Sequence, residues 1–386
     1  MTKPLYSLRL ATIMPRSSIS LGKISGIDIR LDYSWFIIFL LVTWSLTVGY
    51  FPLVYPNWSI GQSIAVGLIT SLLFFASILA HELMHSIIAQ RSGIPVGTIT
   101  LFIFGGISQI SKEPESPNAE FRIAIAGPAT SIILGGIFEA IMLLAPDNLE
   151  ALVAVSFWLG LINLSLGLFN LLPAFPMDGG RVLRSIIWRR SHNLRHATKV
   201  ASVGGQVISS LFILGGIWLL FSGLILNGVW LILIGWFIFD AASSSYRQFN
   251  IQRVLQGHRV KEIMIPDCAT ISPTLTVEEL ANDYILPSGK RCFVIGDKDK
   301  PLGLVTLTDV SSVSKENRLT KSVTEIMTPF EKLKRVSPDD DLHNAMKIIT
   351  EEGLNQLPVI EDGKVIGMLT RENLLSFISV QQSLGA

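Results

Sequence analysis

Residues 63–90 read SIAVGLITSLLFFASILAHELMHSIIAQ, an apolar run long enough to cross a bilayer that nevertheless ends in His81, Glu82 and His85. Ionisable side chains cost about 2.5 to 3.5 kcal/mol each at the middle of a membrane helix, so such a trio is selected against unless it binds something. At helical spacing His81 and His85 are i and i+4 and project from one face, with Glu82 one residue round. H-E-x-x-H on a helix suits a zinc ion with the carboxylate as general base.

The surrounding chain places this motif in a membrane domain. Of 386 residues 49% are hydrophobic, and mean hydropathy is +0.50. Apolar runs near residues 33–53, 62–90, 121–145, 151–172, 202–222 and 225–245 each approach the ~20 residues a span requires. Between Asp32 and Tyr246 only nine Lys and Arg occur: Arg91, Lys112, Arg122, Arg181, Arg184, Arg189, Arg190, Arg195 and Lys199, all following span two or span four. Lys3, Arg9, Arg16, Lys23 and Arg30 precede span one, and Arg247, Arg253 and Arg259 follow span six, which puts both termini in the cytoplasm by the positive-inside rule. The basic, polar first thirty residues read as no cleavable leader, and span one as an anchor. Cys268 and Cys292 lie in the later, mixed-charge part, where two thiols imply no disulfide framework. A net charge of +1 gives no nucleic-acid signal.

A catalytic zinc site usually takes three protein ligands and leaves a fourth position for water. Span four ends in FNLLPAFPMDGGRVLR, where Asn170 closes the helix, Pro173 and Pro176 prevent its continuation, and Asp178 precedes Gly179 and Gly180. Spans two and four both run inward, so His81, His85 and Asp178 come to one side of the bilayer, the histidines ~9 to 15 Å along the helix before Arg91. Taken alone, Asp178 reads equally as an Asp-Gly turn at a helix end; paired with the motif on span two, it is the best third ligand.

His81-Glu82-Leu83-Met84-His85, Asn170-Leu171-Leu172-Pro173 and Met177-Asp178-Gly179-Gly180 together resemble the site-2 protease family of intramembrane zinc metalloproteases. Phe104-Gly105-Gly106, in a membrane-dipping β-like loop, and Ala126-Gly127-Pro128-Ala129, opening span three, look like further signatures, and the resemblance covers roughly residues 20–245. It implies one zinc per chain held by His81, His85 and Asp178, with Glu82 deprotonating the attacking water and Asn170 hydrogen bonding to substrate or intermediate. A polar helix C-cap is the alternative for Asn170.

Other polar groups carry less. Residues 97–109 alternate weakly, yet Gly105-Gly106 disfavours a helix, so a re-entrant hairpin whose edge pairs with extended substrate competes with a plain interfacial loop. Glu139 falls near the outer end of span three and reads as interfacial. His192 and His196, again i and i+4, sit among six positive charges in RVLRSIIWRRSHNLRHATK, which fits an amphipathic helix on anionic lipid better than a second metal site.

The tail repeats with a period of about 63 residues: VKEIMIPDCATISPTLTVEEL aligns with VTEIMTPFEKLKRVSPDDDL, pairing Met264 with Met327, and PLGLVTLTDV with VIGMLTRENL, pairing Gly303 with Gly367. This resembles a tandem pair of cystathionine-β-synthase-type (CBS) domains, a family that binds adenine nucleotides. Thr306-Leu307-Thr308-Asp309 matches the family's Thr-x-x-Asp, whereas the second copy, starting at Thr370, has Asn373 in place of Asp. One competent site for ATP or AMP, using Thr306, Asp309 and Thr370, is weighed against a purely structural or dimerising pair.

The expected architecture is a multi-pass α-helical membrane domain, residues 1–250, with six transmembrane helices and a re-entrant β-like loop. A cytoplasmic α/β tandem CBS domain follows over residues 251–386, with repeats near 258–315 and 321–380. The leading function is a zinc endopeptidase of the cell membrane that cuts single-span protein substrates within lipid, regulated by nucleotide; a homodimer through the repeats is a further implied partner. A transporter or channel is the rival, disfavoured because the polar groups cluster at one depth without an inverted repeat. A zinc hydrolase of lipid is not excluded by the ligands alone.

Overall fold

The computed structural model describes residues 18–103, 105–110, 113–146, 148–266, 268–297 and 299–384. Lys3, Arg9, Arg16, Phe104 and Lys112 therefore lie outside the described residues. The chain divides between Phe249 and Asn250 into two compact units.

Six helices are long and apolar enough to span a membrane among the described residues, five of them wholly in the first unit and the last in it up to Phe249: α1 Tyr33–Val54, α2 Ile60–Arg91, α3 Pro117–Leu144, α4 Glu150–Asn170, α6 Leu194–Phe221 and α7 Ile225–Leu255, with a shorter α5 at Asp178–Ser191 between α4 and α6. Local chemistry sets their ends. Ser59 and Gln62 form a capping box that opens α2, and Arg91 lies in its last turn, where a cation suits the negative end of the helix dipole. Ser116 caps α3 ahead of Pro117, which needs no N–H partner there.

The inward face of α2 is made of small and polar residues at helical spacing: Ser63, Gly67, Thr70, Ser71, Ser77, His81, His85 and Ser86 are buried, while Leu68, Leu72 and Leu73 face outward. In lipid the polar stripe belongs against protein, because hydrocarbon offers it no hydrogen bonds.

A four-stranded sheet of order β1-β2-β3-β4 packs against this bundle, from β1 Ser18–Ile24, β2 Ile27–Asp32, β3 Val96–Phe102 and β4 Gly105–Ile110. β2 and β3 are parallel, and the other pairs antiparallel. Residues 97–102 and 105–109 therefore pair as antiparallel strands and do not form a plain loop. The partner hairpin β1–β2 was hidden in a stretch read only as basic and polar; the alternation of Ile27, Ile29 and Leu31, all buried, with the Ser25-Gly26 turn before it, is the signal that was there.

Three local expectations are corrected. Ala126-Gly127-Pro128-Ala129 lies several turns inside α3 and does not open it. His192 is a left-handed cap, at φ 53°, that ends α5, whereas His196 belongs to the first turn of α6; the two do not share a helix face. Glu139 packs inward over Gly160 of α4, where an added Cβ would lie 2.7 Å from Glu139 Oε1.

In the second unit, the sheet β5 Thr270–Ile271, β6 Cys292–Asp297, β7 Lys300–Thr306 and β8 Thr328–Pro329 accompanies a pair, β9 Gln356–Glu361 and β10 Lys364–Thr370. The lead-in segments are exchanged. β8, in the opening segment of the second repeat, pairs with β7 of the first, and Ile265, in the opening segment of the first, bridges to Met368 in β10 of the second. Gly303 and Gly367 permit this: a Cβ on either would crowd the sulfur of Met327 or Met264 respectively, each at 3.0 Å. Each repeat keeps its own core, Val277, Leu280, Phe293 and Val305 in one, Leu342, Ile349, Leu357 and Leu369 in the other. Burial pushes the Cys292 thiol up to about 12, so it stays protonated at neutral pH and makes a poor nucleophile.

Candidate metal centre

α2 presents His81 and His85 to the start of α5, whose first residue is Asp178. His81 Nε2 and His85 Nε2 are 3.2 Å apart, and Asp178 Oδ2 lies 3.2 Å from the first and 3.1 Å from the second. Zn–N and Zn–O bonds of about 2.0 to 2.1 Å at tetrahedral angles separate ligand atoms by about 3.3 Å. The triangle therefore fits one zinc ion with a fourth position left over, and no other group of three His, Cys, Asp or Glu among the described residues converges in this way.

Both imidazoles are held from behind by α3. His85 Nδ1 donates to the carbonyl of Ile123 at 2.6 Å, so that in the neutral ring Nε2 is the acceptor turned to the centre. Ser131 Oγ meets His81 Nδ1 at 2.9 Å. Between these supports lies Gly127, where an added Cβ would fall 2.2 Å from His85 Nε2 and 2.5 Å from His81 Nε2. Only glycine lets α3 come close enough to hold the rings.

Asp178 is aimed by the turn before it. Gly179 and Gly180 lie against the backbone of residues 171–175, so close that a Cβ on Gly179 would be 2.3 Å from Leu171 C and one on Gly180 would be 2.5 Å from Phe175 N. Arg184, one and a half turns on, is buried; its Nε donates to Glu120 Oε1 at 2.5 Å, and its guanidinium lies 5.4 Å from the ring centroid of Phe175. A buried ion pair thus clamps α5, which carries Asp178, to α3, which carries the supports of both histidines. The reading of this arginine as part of a helix lying on lipid missed that clamp, for which the only sequence signal was Glu120 at the mouth of an apolar run.

Glu82 stands beside the triangle, its Oε2 accepting from Ser108 Oγ of β4 at 3.0 Å. Asn170 is not brought into the triangle by any described bond. Its amide donates to Leu166 O, one turn back in α4, at 3.0 Å, the bond of a residue finishing its own helix. In the second unit Thr306 and Asp309 form a capping box, Asp309 Oδ2 accepting from Thr306 N at 2.8 Å and from Thr306 Oγ1 at 2.7 Å. Thr370 caps the next helix through its hydroxyl alone, which accepts from Asn373 N at 3.1 Å and donates to Asn373 Oδ1.

The model of peptidase family M50 matches residues 69–149 and 145–214, and that of the CBS domain matches residues 260–316 and 323–380. Rip3 of Mycobacterium tuberculosis is 36% identical over 95% of this chain and 94% of its own length. The chain belongs to peptidase family M50. Zinc metalloprotease MJ0392 of Methanocaldococcus jannaschii is 30% identical over 94% of this chain and 96% of its own. Among solved structures, a site-2 protease from Methanocaldococcus jannaschii is 35% identical, covering 60% of this chain and 96% of that one at a TM-score of 0.41. This M50 peptidase is a multi-pass membrane metalloprotease with a tandem CBS pair, and membership displaces the transporter reading.

Proposed function

We propose that this M50 peptidase hydrolyses a peptide bond inside the transmembrane segment of a single-span protein, near the cytoplasmic face, and releases a domain. The observation that carries the reading is the triangle of His81, His85 and Asp178 with Glu82 at its side, set on an otherwise apolar helix. His81, His85 and Asp178 would hold zinc, which when bound supplies Lewis acidity to a water and to the scissile carbonyl. Glu82 takes the proton of the attacking water and returns it to the leaving amine. The supports on α3 keep both imidazoles turned to the centre throughout. β4, at the edge of its sheet, offers main-chain groups to a substrate unwound into an extended strand. The distribution of Lys and Arg supports cytoplasmic termini and a cytoplasmic CBS pair beyond about residue 250.

The same proposal gives the CBS pair an adenine nucleotide, ATP or AMP, at Thr306 and Asp309, with Thr370 the weaker counterpart, and allows dimerisation through the repeats. Glu82→Gln tests the chemistry: the purified full chain keeps stoichiometric zinc and loses cleavage of a reconstituted single-span substrate. Full turnover by that variant sinks the proteolytic mechanism. Asp178→Ala that binds zinc with unchanged affinity sinks the third ligand.

A further inference from the structure

Glu82 is held on two sides by β4. Ser86 Oγ, on α2, donates to Ser108 Oγ at 3.2 Å, and Ser108 Oγ donates to Glu82 Oε2 at 3.0 Å. The direction of this relay follows from the groups themselves. In the form that can take a proton the carboxylate only accepts, so the single proton of Ser108 points to Glu82, and the buried Ser86 fills the acceptor side of Ser108. Two positions along the strand, Gly106 lies against the stem of the same side chain, an added Cβ there falling 2.5 Å from Glu82 Cγ. A glutamate has three rotatable bonds and no intrinsic reason to keep one direction. Here a hydroxyl fixes its head and a side-chain-free position fixes its stem.

We infer that Ser108 is the positioning residue for Glu82, so that the edge strand of the sheet aims the general base. The inference rests on reading Glu82 as that base. It has a consequence for substrate use: the strand that would receive an extended substrate is also the one that orients the proton acceptor.

The test uses the full chain, zinc-loaded and reconstituted, with a fluorogenic single-span peptide that the wild type cleaves. Ser108→Ala lowers kcat by about tenfold to a hundredfold with KM nearly unchanged, the range that loss of an outer support usually produces. Zinc affinity, read by chelator competition without turnover, stays at the wild-type value. Ser108→Thr, which keeps the hydroxyl, recovers most of the rate. Wild-type kcat in Ser108→Ala, a rate loss that tracks weakened zinc binding, or no recovery in Ser108→Thr each overturns the inference. Glu82→Gln is run alongside: if it is inactive while Ser108→Ala is normal, the positioning role alone has failed, whereas full activity in Glu82→Gln removes both.

Discussion

Gly127→Ala is the sharpest perturbation of the metal centre, because it adds one methyl group and no polarity. Its Cβ would sit 2.2 Å from His85 Nε2 and 2.5 Å from His81 Nε2, whereas ordinary contact begins at 3.4 Å. Relief at His85 therefore needs a displacement of about 1.2 Å, several times the ~0.2 Å latitude of a metal–ligand bond. α3 cannot simply withdraw by that amount. It carries Ile123 O and Ser131 Oγ, which hold the two rings at 2.6 and 2.9 Å, and those bonds would break instead. Loss of an outer support alone costs about tenfold to a hundredfold in metal affinity, and here the ligand atoms themselves are displaced. Zinc should bind at least about a hundredfold more weakly, roughly 2.7 kcal/mol. The assay is chelator competition on the purified full chain, with melting temperature and elution volume as checks on folding. Gly136→Ala, on the same helix with open space around its Cβ, is the control and should leave zinc binding untouched. Wild-type affinity in Gly127→Ala would refute the packing argument.

Further outcomes follow from other parts of the molecule. Glu120→Leu and Arg184→Met should each destabilise the membrane unit by about 3 to 5 kcal/mol by stranding a buried charge, and the double variant combining them by much less, measured as unfolding in a double-mutant cycle. Asp309→Ala should weaken AMP or ATP binding by calorimetry, whereas Asn373→Ala should not; equal losses would assign the site differently. Ile349→Ala, fully buried in the second repeat, should cost about 2 to 5 kcal/mol. Hydrogen bonds from Lys261 and Arg259 hold the Asp339 carboxyl below its ordinary 3.8. A carboxyl lowered by folding stabilises above its unfolded value and loses that contribution as pH falls through the folded one. The melting curves of wild type and Asp339→Asn should therefore differ at neutral pH and converge below pH 3.8, in the acid limb only.

How much was legible in the sequence depended on distance along the chain. The six spans are declared by composition, since a bilayer admits only long apolar helices, and each structural helix begins or ends within a few turns of the expected run. His81 and His85 share a face because the helix puts i and i+4 together wherever it occurs. Asp178 joined them by topology and family resemblance, while Asn170 matched a motif but bonds to its own helix. Strand pairing was less visible, because β1 to β4 are short, and a half-buried alternation of six or seven residues is a weak signal beside thirty apolar ones.

The amino-acid sequence by itself determined the membrane helices, the pair of histidines with their glutamate, and the repeat in the tail, all of which are periodic or local. Only the tertiary structure decided what supports them: Ile123 and Ser131 behind the rings, Gly127 between them, Arg184 on Glu120, Ser108 on Glu82, and each repeat lending its lead-in segment to the other. These contacts join residues dozens of positions apart. Nothing in the local spacing of either partner records them, because they come into being when helices and sheet pack at a few ångströms and each buried polar atom must find its bond.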